Sequence, residues 1–341
     1  MAIKVKDLAA MLNLSPATIS LVLNNRPGIS ETTREKVRSA VRELGYDELL
    51  TEDITEKENI LFIVYRKHGI ESQSTPYFSQ IFSEIIEGVE SQVKASGYNL
   101  MISYVDEYTV ADEVMAIRKE QVKGVLVLAT EMQEKQMNAF SEMQVPIVII
   151  DNYMEHREFD CITINNEQGV YEVIQHLVNM GHSKIGYLHI DANANNFSER
   201  CSGFYKAMDT FGLKADKADL ITICTAGGEA VYQVLKSKLS QRKSMPTAFF
   251  ADNDIIAISA MRVLKELGYE IPQDVSIIGF DNITLSEMLN PPLTSIQIPK
   301  RKIGIVAVNT IIDKIKYPSE GVIKAAVRTK LIVRESVKKL S

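Results

Sequence analysis

Three polar residues stand beyond the ends of short apolar runs: Asp151 after Ile147–Ile150, Asn253 after Phe249-Phe250-Ala251, and Asp281 after Ile277–Phe280. In open α/β sheets, ligands settle beyond the carboxyl ends of the strands, where such side chains can hydrogen-bond a small molecule. A single aspartate at such a place reads first as a helix cap or a turn former. Three in corresponding places weaken that reading. Other chemistries find no support. There is no G-x-x-x-x-G-K-[ST] and no G-x-G-x-x-G to cradle phosphates, and Gly227-Gly228, followed by Glu229, reads as a turn or helix start. His68, His156, His176, His182 and His189 are not at metal-ligand spacing, and no G-x-S-x-G elbow occurs. The expectation is no catalytic residue, no metal and no cofactor.

A second constellation lies near the N-terminus. Ser15 can cap a helix, and Pro16 suits its first turn, where a missing N–H is harmless. Ile19, Val22 and Leu23 then share one face, which leaves Ala17, Thr18, Ser20, Leu21 and Asn24 pointing away, small and polar for the most part. Val5, Leu8, Ala9 and Leu12 repeat at helical spacing before it; after it, Ser30 can cap a third helix with Val37, Ala40, Val41 and Leu44 inward, stopped by Gly45. A generic three-helix bundle would show the same periodicity. A short middle helix with a small polar face also describes a helix-turn-helix, whose second helix fits a major groove.

Charge favours the second reading. Residues 1–46 carry Lys4, Lys6, Arg26, Arg34, Lys36, Arg38 and Arg42 against Asp7, Glu31, Glu35 and Glu43, while the whole chain is −6. A basic module on an acidic body is the pattern of a nucleic-acid reader, because phosphate contacts supply much of the affinity. One short helix reads few base pairs, so a homodimer on double-stranded DNA is expected.

The 341 residues exceed one ordinary core and imply more than one domain. Cys161, Cys201 and Cys224 are odd in number, far apart and outside any C-x-x-C, as expected of reduced thiols in the cytoplasm. The charged start is not a signal peptide, and no apolar run approaches the ~18 residues of a membrane span.

After Tyr46, residues 47–59 are acidic and weakly periodic, a linker. From Ile60, apolar runs alternate with amphipathic ones: strands at about 60–65, 98–104, 124–129, 147–150, 161–164, 184–190, 220–224, 247–251 and 275–280, with helices between them and a further helix at 300–316 before a final strand near 322–332. Such alternation gives parallel sheets covered on both faces, here as two similar α/β lobes.

Val5-Lys6-Asp7-Leu8-Ala9, Ser15-Pro16-Ala17-Thr18-Ile19-Ser20, Val22-Leu23-Asn24 and Thr33-Arg34-Glu35-Lys36-Val37 resemble the DNA-binding headpiece of the LacI/GalR family of bacterial transcriptional regulators. Gly181-His182, Ile271 to Asp281 and Pro292-Leu293-Thr294-Ser295-Ile296 extend the resemblance to nearly the whole chain except the linker. It implies a headpiece (1–46) and a two-lobed effector domain (60–341) like a periplasmic binding protein, crossed three times by the chain. One lobe would be about 60–160 plus 292–323, the other 161–291 plus 324–341. It further implies an operator-binding repressor governed by a small sugar-like effector, with Lys6, Ser15, Pro16, Ala17, Thr18, Ser20, Leu21, Asn24 and Arg26 on DNA. Tyr77, Phe78, Asp151, Arg200, Asn253 and Asp281 would meet the effector. Carboxylates accept from hydroxyls, Arg donates in a fork, and an aromatic ring covers an apolar ring face.

Three departures stand out. Leu21 occupies a position where the family commonly has arginine. Ala226-Gly227-Gly228 replaces an aromatic lid, and the linker carries six acids against Lys57. A solute-binding protein shares the α/β body but lacks the headpiece; a sugar-modifying enzyme is the remaining alternative.

Overall fold

The computed structural model describes residues 4–24, 26, 28–46, 49–50, 57–66, 76–117, 122–141, 143–192, 194–224, 228–318 and 321–340, without the side chains of 76–81. The chain divides into two compact units, Met1–Lys57 and Glu58–Ser341.

The first unit holds α1 (Val5–Leu12), α2 (Pro16–Leu23) and α3 (Glu31–Glu43). Ser15 Oγ accepts from the Thr18 amide at 3.0 Å and Ser30 Oγ from the Thr33 amide at 3.4 Å, so each later helix starts on its serine. Leu8, Ala9, Ile19, Val22, Leu23, Val37 and Val41 form the core, and the larger of these side chains each contribute about 1.5–3 kcal/mol by leaving water. Leu44, expected inward, is instead exposed, because α3 ends at Glu43. Tyr46, Leu49 and Leu50 fold onto the core in its place. Arg34 is buried where periodicity alone gives no reason to put it; its guanidinium donates to the Arg26 carbonyl at 2.7 Å.

The second unit runs β1 (Asn59–Tyr65), α4 (Pro76–Ala95), β2 (Asn99–Val105), α5 (Val110–Ile117), β3 (Val122–Leu128), α6 (Glu134–Met137), β4 (Ile147–Ile150), β5 (Asp160–Ile164), α7 (Asn166–Asn179), β6 (Ile185–Ile190), α8 (Asn195–Thr210) and β7 (Leu220–Ile223). It continues through α9 (Gly228–Ser240), β8 (Ala248–Ala251), α10 (Asp254–Glu266), β9 (Ser276–Asp281), α11 (Thr284–Met288), β10 (Thr294–Gln297), α12 (Lys300–Lys316), β11 (Lys324–Val327) and β12 (Lys330–Ile332).

Two six-stranded sheets result, ordered β11-β5-β4-β3-β1-β2 and β12-β10-β9-β8-β6-β7. All pairings are parallel except β10 with β12. Strands such as β4 and β8 are buried at every position, as expected when helices cover both faces of a sheet.

The lobe boundaries implied by the family resemblance need correction. β5 and β11 belong to the first sheet and β10 to the second, so the crossings fall after Ile164, Gln297 and Val327 rather than near 160, 291 and 323. Each strand is completed in its own sheet before the chain leaves, since only a ladder satisfies its backbone groups. The first and third crossings are tied together: the Asn165 amide donates to Val327 O at 2.9 Å and the Thr329 amide to Gln168 Oε1 at 3.0 Å.

In the first lobe α4 and α12 cross backbone on backbone. A Cβ on Gly88 would lie 2.2 Å from the Arg301 carbonyl oxygen, and one on Gly304 would lie 2.4 Å from that of Ile85, so neither glycine can be replaced without a shift.

Candidate functional site

On the first unit, Lys6, Ser15, Pro16, Ala17, Ser20, Asn24 and Arg26 are exposed, while Thr18 and Leu21 are half-buried. Leu21 stands outside the apolar core of its unit. Some of these side chains are partly committed to the helix itself: Ser15 and Thr18 share a hydroxyl hydrogen bond of 2.8 Å, and the Asn24 amide donates to Ser20 O at 2.8 Å. α2 therefore presents a small, polar, exposed face, backed by a core that fixes its angle. The described part of the linker adds Leu49 and Leu50, both turned onto that core; 47–48 and 51–56 lie outside the described residues.

On the second unit, a chain of hydrogen bonds crosses from one lobe to the other. Asp151, just past β4, accepts from Thr130 Oγ1 at 2.7 Å and from Asn196 Nδ2, on α8 of the second lobe, at 3.0 Å. Asn196 Oδ1 accepts from Asn166 Nδ2 at 2.8 Å, and Asn166 Oδ1 accepts from Arg200 Nε at 2.9 Å. Arg200 then reaches Asp281 Oδ1 through Nη2 at 3.2 Å and the Asp252 carbonyl through Nη1. Its guanidinium lies 3.8 Å from the centre of the Phe280 ring, so a planar cation is stacked as well as forked.

The backbone serves this arrangement. Asp151, Asp281 and Asn282 have φ of +64°, +103° and +45°, conformations that Asp and Asn tolerate better than most side chains and that turn these residues out of the strand direction. Burial pushes the Asp281 carboxyl well above the usual carboxylate range, against the pull of the Lys300 charge. Asp151 is raised by burial too, opposed by the hydroxyl of Thr130 and the amide of Asn196. Glu199 accepts from Asn166 and Asn195 at 2.8 Å each and is likewise raised, chiefly by burial. Protonated or hydrogen-bonded carboxyls packed among amides make a site for a ligand rich in donors and acceptors.

Asp151, Arg200 and Asp281 are thus joined in one network. Asn253 is not part of it: its side-chain oxygen caps α10 by accepting from the Ile256 amide at 2.9 Å, the role strand-end residues take most often. Tyr77 and Phe78 fall in the first turn of α4, and their side chains lie outside the described residues, as does 225–227 of the lid position. Asn166, Asn196, Glu199 and the buried Asp252 escape a reading of the sequence. The doubled asparagines Asn165-Asn166 and Asn195-Asn196 are the available signal.

Asp252 organises the second lobe behind Arg200. Its carboxylate accepts from the Tyr187 hydroxyl, from His189 Nδ1 at 2.8 Å and from the Ile190 amide at 2.7 Å. Burial works against a charged His189, but its hydrogen bond to Asp252 holds the ring above its ordinary pKa.

Two cavities are lined from both lobes. One of about 500 Å³ opens beside Asn152, Asn195 and Ser198, and one of about 180 Å³ lies beside Asn282 and Lys300. Among the described residues no group of His, Cys, Asp and Glu could hold a metal, and no helix is long and apolar enough to cross a membrane.

An exposed polar recognition-type helix on a basic module and a two-lobed α/β body with a polar cleft define a ligand-responsive DNA-binding protein. Residues 4–47 match the family model for bacterial regulatory proteins of the lacI family, and residues 174–337 match that for a periplasmic binding protein-like domain. The HTH-type transcriptional repressor PurR of Vibrio atlanticus is 32% identical over 343 residues, covering 99% of both chains. PurR of Photobacterium profundum is 30% identical over 348 residues, again 99% of both. Among solved structures, a complex of the transcriptional regulator CelR with cellobiose aligns at a TM-score of 0.72 and 22% identity, over 98% of this chain and 100% of that one. The lac repressor dimer bound to operator and an anti-inducer aligns at 0.71 and 22%, over 99% and 100%. The chain belongs to the lacI family of bacterial regulatory proteins. It is a DNA-binding transcriptional regulator.

Proposed function

We propose that this protein is a cytoplasmic, homodimeric repressor that binds a two-fold operator through α2 and is controlled by a small hydroxylated effector held between the two lobes. The observation that carries the reading is the exposed small polar face of α2, held on a fixed core by two serine caps. In this role Pro16, Ala17, Ser20 and Leu21 meet base edges, while Lys6, Arg26 and the Ser15–Thr18 end of the helix meet phosphates.

Asp151, Arg200 and Asp281 hold the effector, joined by Asn166, Asn196 and Glu199, while Asn253 supports α10. Without effector, donors and acceptors from the two lobes satisfy one another. A hydroxylated molecule replaces those bonds with its own, and in doing so changes how the lobes are joined. The protein performs no catalysis in this reading. Its relatives bear names of regulators.

The test has two arms. Selection from random double-stranded DNA should enrich a palindromic site; recovery of no preferred sequence would refute operator binding. A thermal-shift screen against mono- and disaccharides should find a ligand, since a site filled to ~100 Kd adds about 2.7 kcal/mol.

A further inference from the structure

Asp252 uses both its main chain and its side chain. Its amide donates to Leu188 O at 3.0 Å, and its carboxylate accepts from the Tyr187 hydroxyl, from His189 Nδ1 at 2.8 Å and from the Ile190 amide at 2.7 Å. Its carbonyl accepts from Arg200 Nη1. A residue just past β8 is thus stapled to β6 on one side and holds the cleft arginine on the other. The Asp252 side chain is fully buried, whereas that of His189 is 16% exposed, so His189 is where a proton from water reaches this pair. Tyr187 stays a donor, since burial and then the Asp252 charge push its hydroxyl far above its ordinary range.

Arg200 and His189 both draw on the Asp252 charge. Burial works against the Arg200 charge, and Asp252 is the foremost of the groups that offset it, ahead of Asp151, Tyr187 and Asp254. In a site closed to water a charge acts far more strongly than at the surface, so a second cation beside Asp252 cancels part of its pull.

We infer that His189 is a proton-operated positioning residue for Arg200: protonated, it takes up the Asp252 charge and loosens the hold of Asp252 on the arginine; neutral, it leaves that hold intact.

Few groups share this role among the described residues. β6 brings Tyr187 and Asp191, the turn after β8 brings Asp252, and α8 brings Arg200 and Cys201 toward the Asp252 charge. Opposite His189 in the ladder, β7 offers the uncharged Thr222, whose carbonyl accepts from Lys238 Nζ of α9 at 2.9 Å. Burial disfavours the imidazolium, but Asp252, by hydrogen bond and charge, and then Asp191 hold the ring above its ordinary 6.5. Neutral imidazole can keep its Nδ1–H on Asp252, so loss of the proton changes the charge and spares the geometry.

The effect on Arg200 stands by itself; its consequence for a ligand rests on the reading of the cleft as the effector site. The experiment takes the full-length protein, labelled at histidine and arginine, and follows the His189 ring and the Arg200 Nε–H by NMR from about pH 5 to about pH 9. His189 should titrate above 6.5, and the Arg200 resonance should carry a step at the same pH. That step should vanish in His189→Asn, which keeps an amide donor near the place of Nδ1, while steps from the neighbouring carboxyls remain. In Asp252→Asn the His189 ring should titrate below 6.5, because burial then prevails. Circular dichroism verifies both folds, and His189→Gln replaces His189→Asn if the latter does not fold. For a sugar that binds the wild type, the gain in affinity from pH 8 to pH 6 should be about fivefold larger in the wild type than in His189→Asn. An Arg200 resonance with one and the same pH curve in both proteins overturns the inference, and so does a wild-type His189 that titrates below 6.5. Equal gains in sugar affinity overturn its link to the effector. Failure of every sugar to bind overturns the effector reading, while the Arg200 step still decides this one.

Discussion

The Asn196 side-chain amide donates to Asp151 at 3.0 Å, and this bond joins the two lobes directly. Both groups are buried, so each must find another partner when the lobes part. Asn196→Ala leaves Asp151 with Thr130 alone among these partners and removes one acceptor of Asn166, which keeps Glu199. The expected loss is about 1–3 kcal/mol in urea unfolding. Faster limited proteolysis around residues 165 and 328, where the chain crosses, should accompany it. A variant with wild-type proteolysis would mean that the bond holds nothing together.

Arg200 does more than face a ligand. It bonds Asn166, the Asp252 carbonyl and Asp281 and stacks on Phe280. Arg200→Ala should therefore destabilise the second unit by about 3–5 kcal/mol, the range for stripping one partner from a buried charged pair. It should also abolish the effector response. Asp281→Asn keeps the shape and should lose the response with a smaller change in stability. Equal and negligible losses of stability in both would contradict the network.

Asp254, the first residue of α10, accepts from Ser286 Oγ and Ser295 Oγ at 2.6 Å each and from the Ile283 amide at 2.9 Å. Burial pushes its carboxyl up to about 6 from 3.8. The folded chain then keeps a proton that the unfolded chain sheds between these values, so stability falls as pH rises from about 4 to about 6. Asp151, Glu199 and Asp281 are shifted the same way, whereas His176 and His182, lowered by burial, oppose it. Comparing pH 4 with pH 7.5, Asp254→Asn should remove about 3 kcal/mol of the wild-type difference. Parallel melting curves for the two proteins at both values would refute this.

Leu21 is half-buried and stands outside the apolar core of its unit; in the proposed role its methyls meet thymine rather than hold α3. Leu21→Arg should leave the melting temperature nearly unchanged and shift operator preference toward guanine at one position in each half-site. Identical selected sequences for both proteins would show that Leu21 does not read bases.

Leu49 and Leu50 pack on the core of the first unit, and the six acids between 47 and 58 suit a negative minor groove poorly. Operator DNA should then be bent little. The Leu49→Ala, Leu50→Ala variant should lose stability in the first unit rather than DNA curvature. A sharp central kink in circular-permutation gel shifts that vanishes in this variant would show that these leucines wedge between bases.

The parts legible in the sequence are those set by local rules. The serine caps, the apolar face of α2 and the alternation of strands and helices depend on neighbours within a few residues, and the structure reproduces them closely. Asp151 and Asp281 are legible because they sit at strand ends, whereas Arg200, inside α8, is singled out only by the family resemblance. Asn253 shows how that rule misleads, since a strand end in such a fold is also the start of a helix that needs a cap. Lys300 and Arg34 are illegible for another reason. A cation in an amphipathic helix reads as solvated, and only tertiary packing of α4 against α12, or of α3 against the segment after α2, encloses it. The crossings are misplaced by a few residues because strand membership is decided by a distant partner in the ladder.

Gly88 and Gly304 let the backbones of α4 and α12 meet with no side chain between them. α12 spans 17 residues, about 25 Å, and begins at Lys300 in the small cavity. Contact this close makes the two helices one stiff unit near the start of α12, so a shift of either helix carries the other with it.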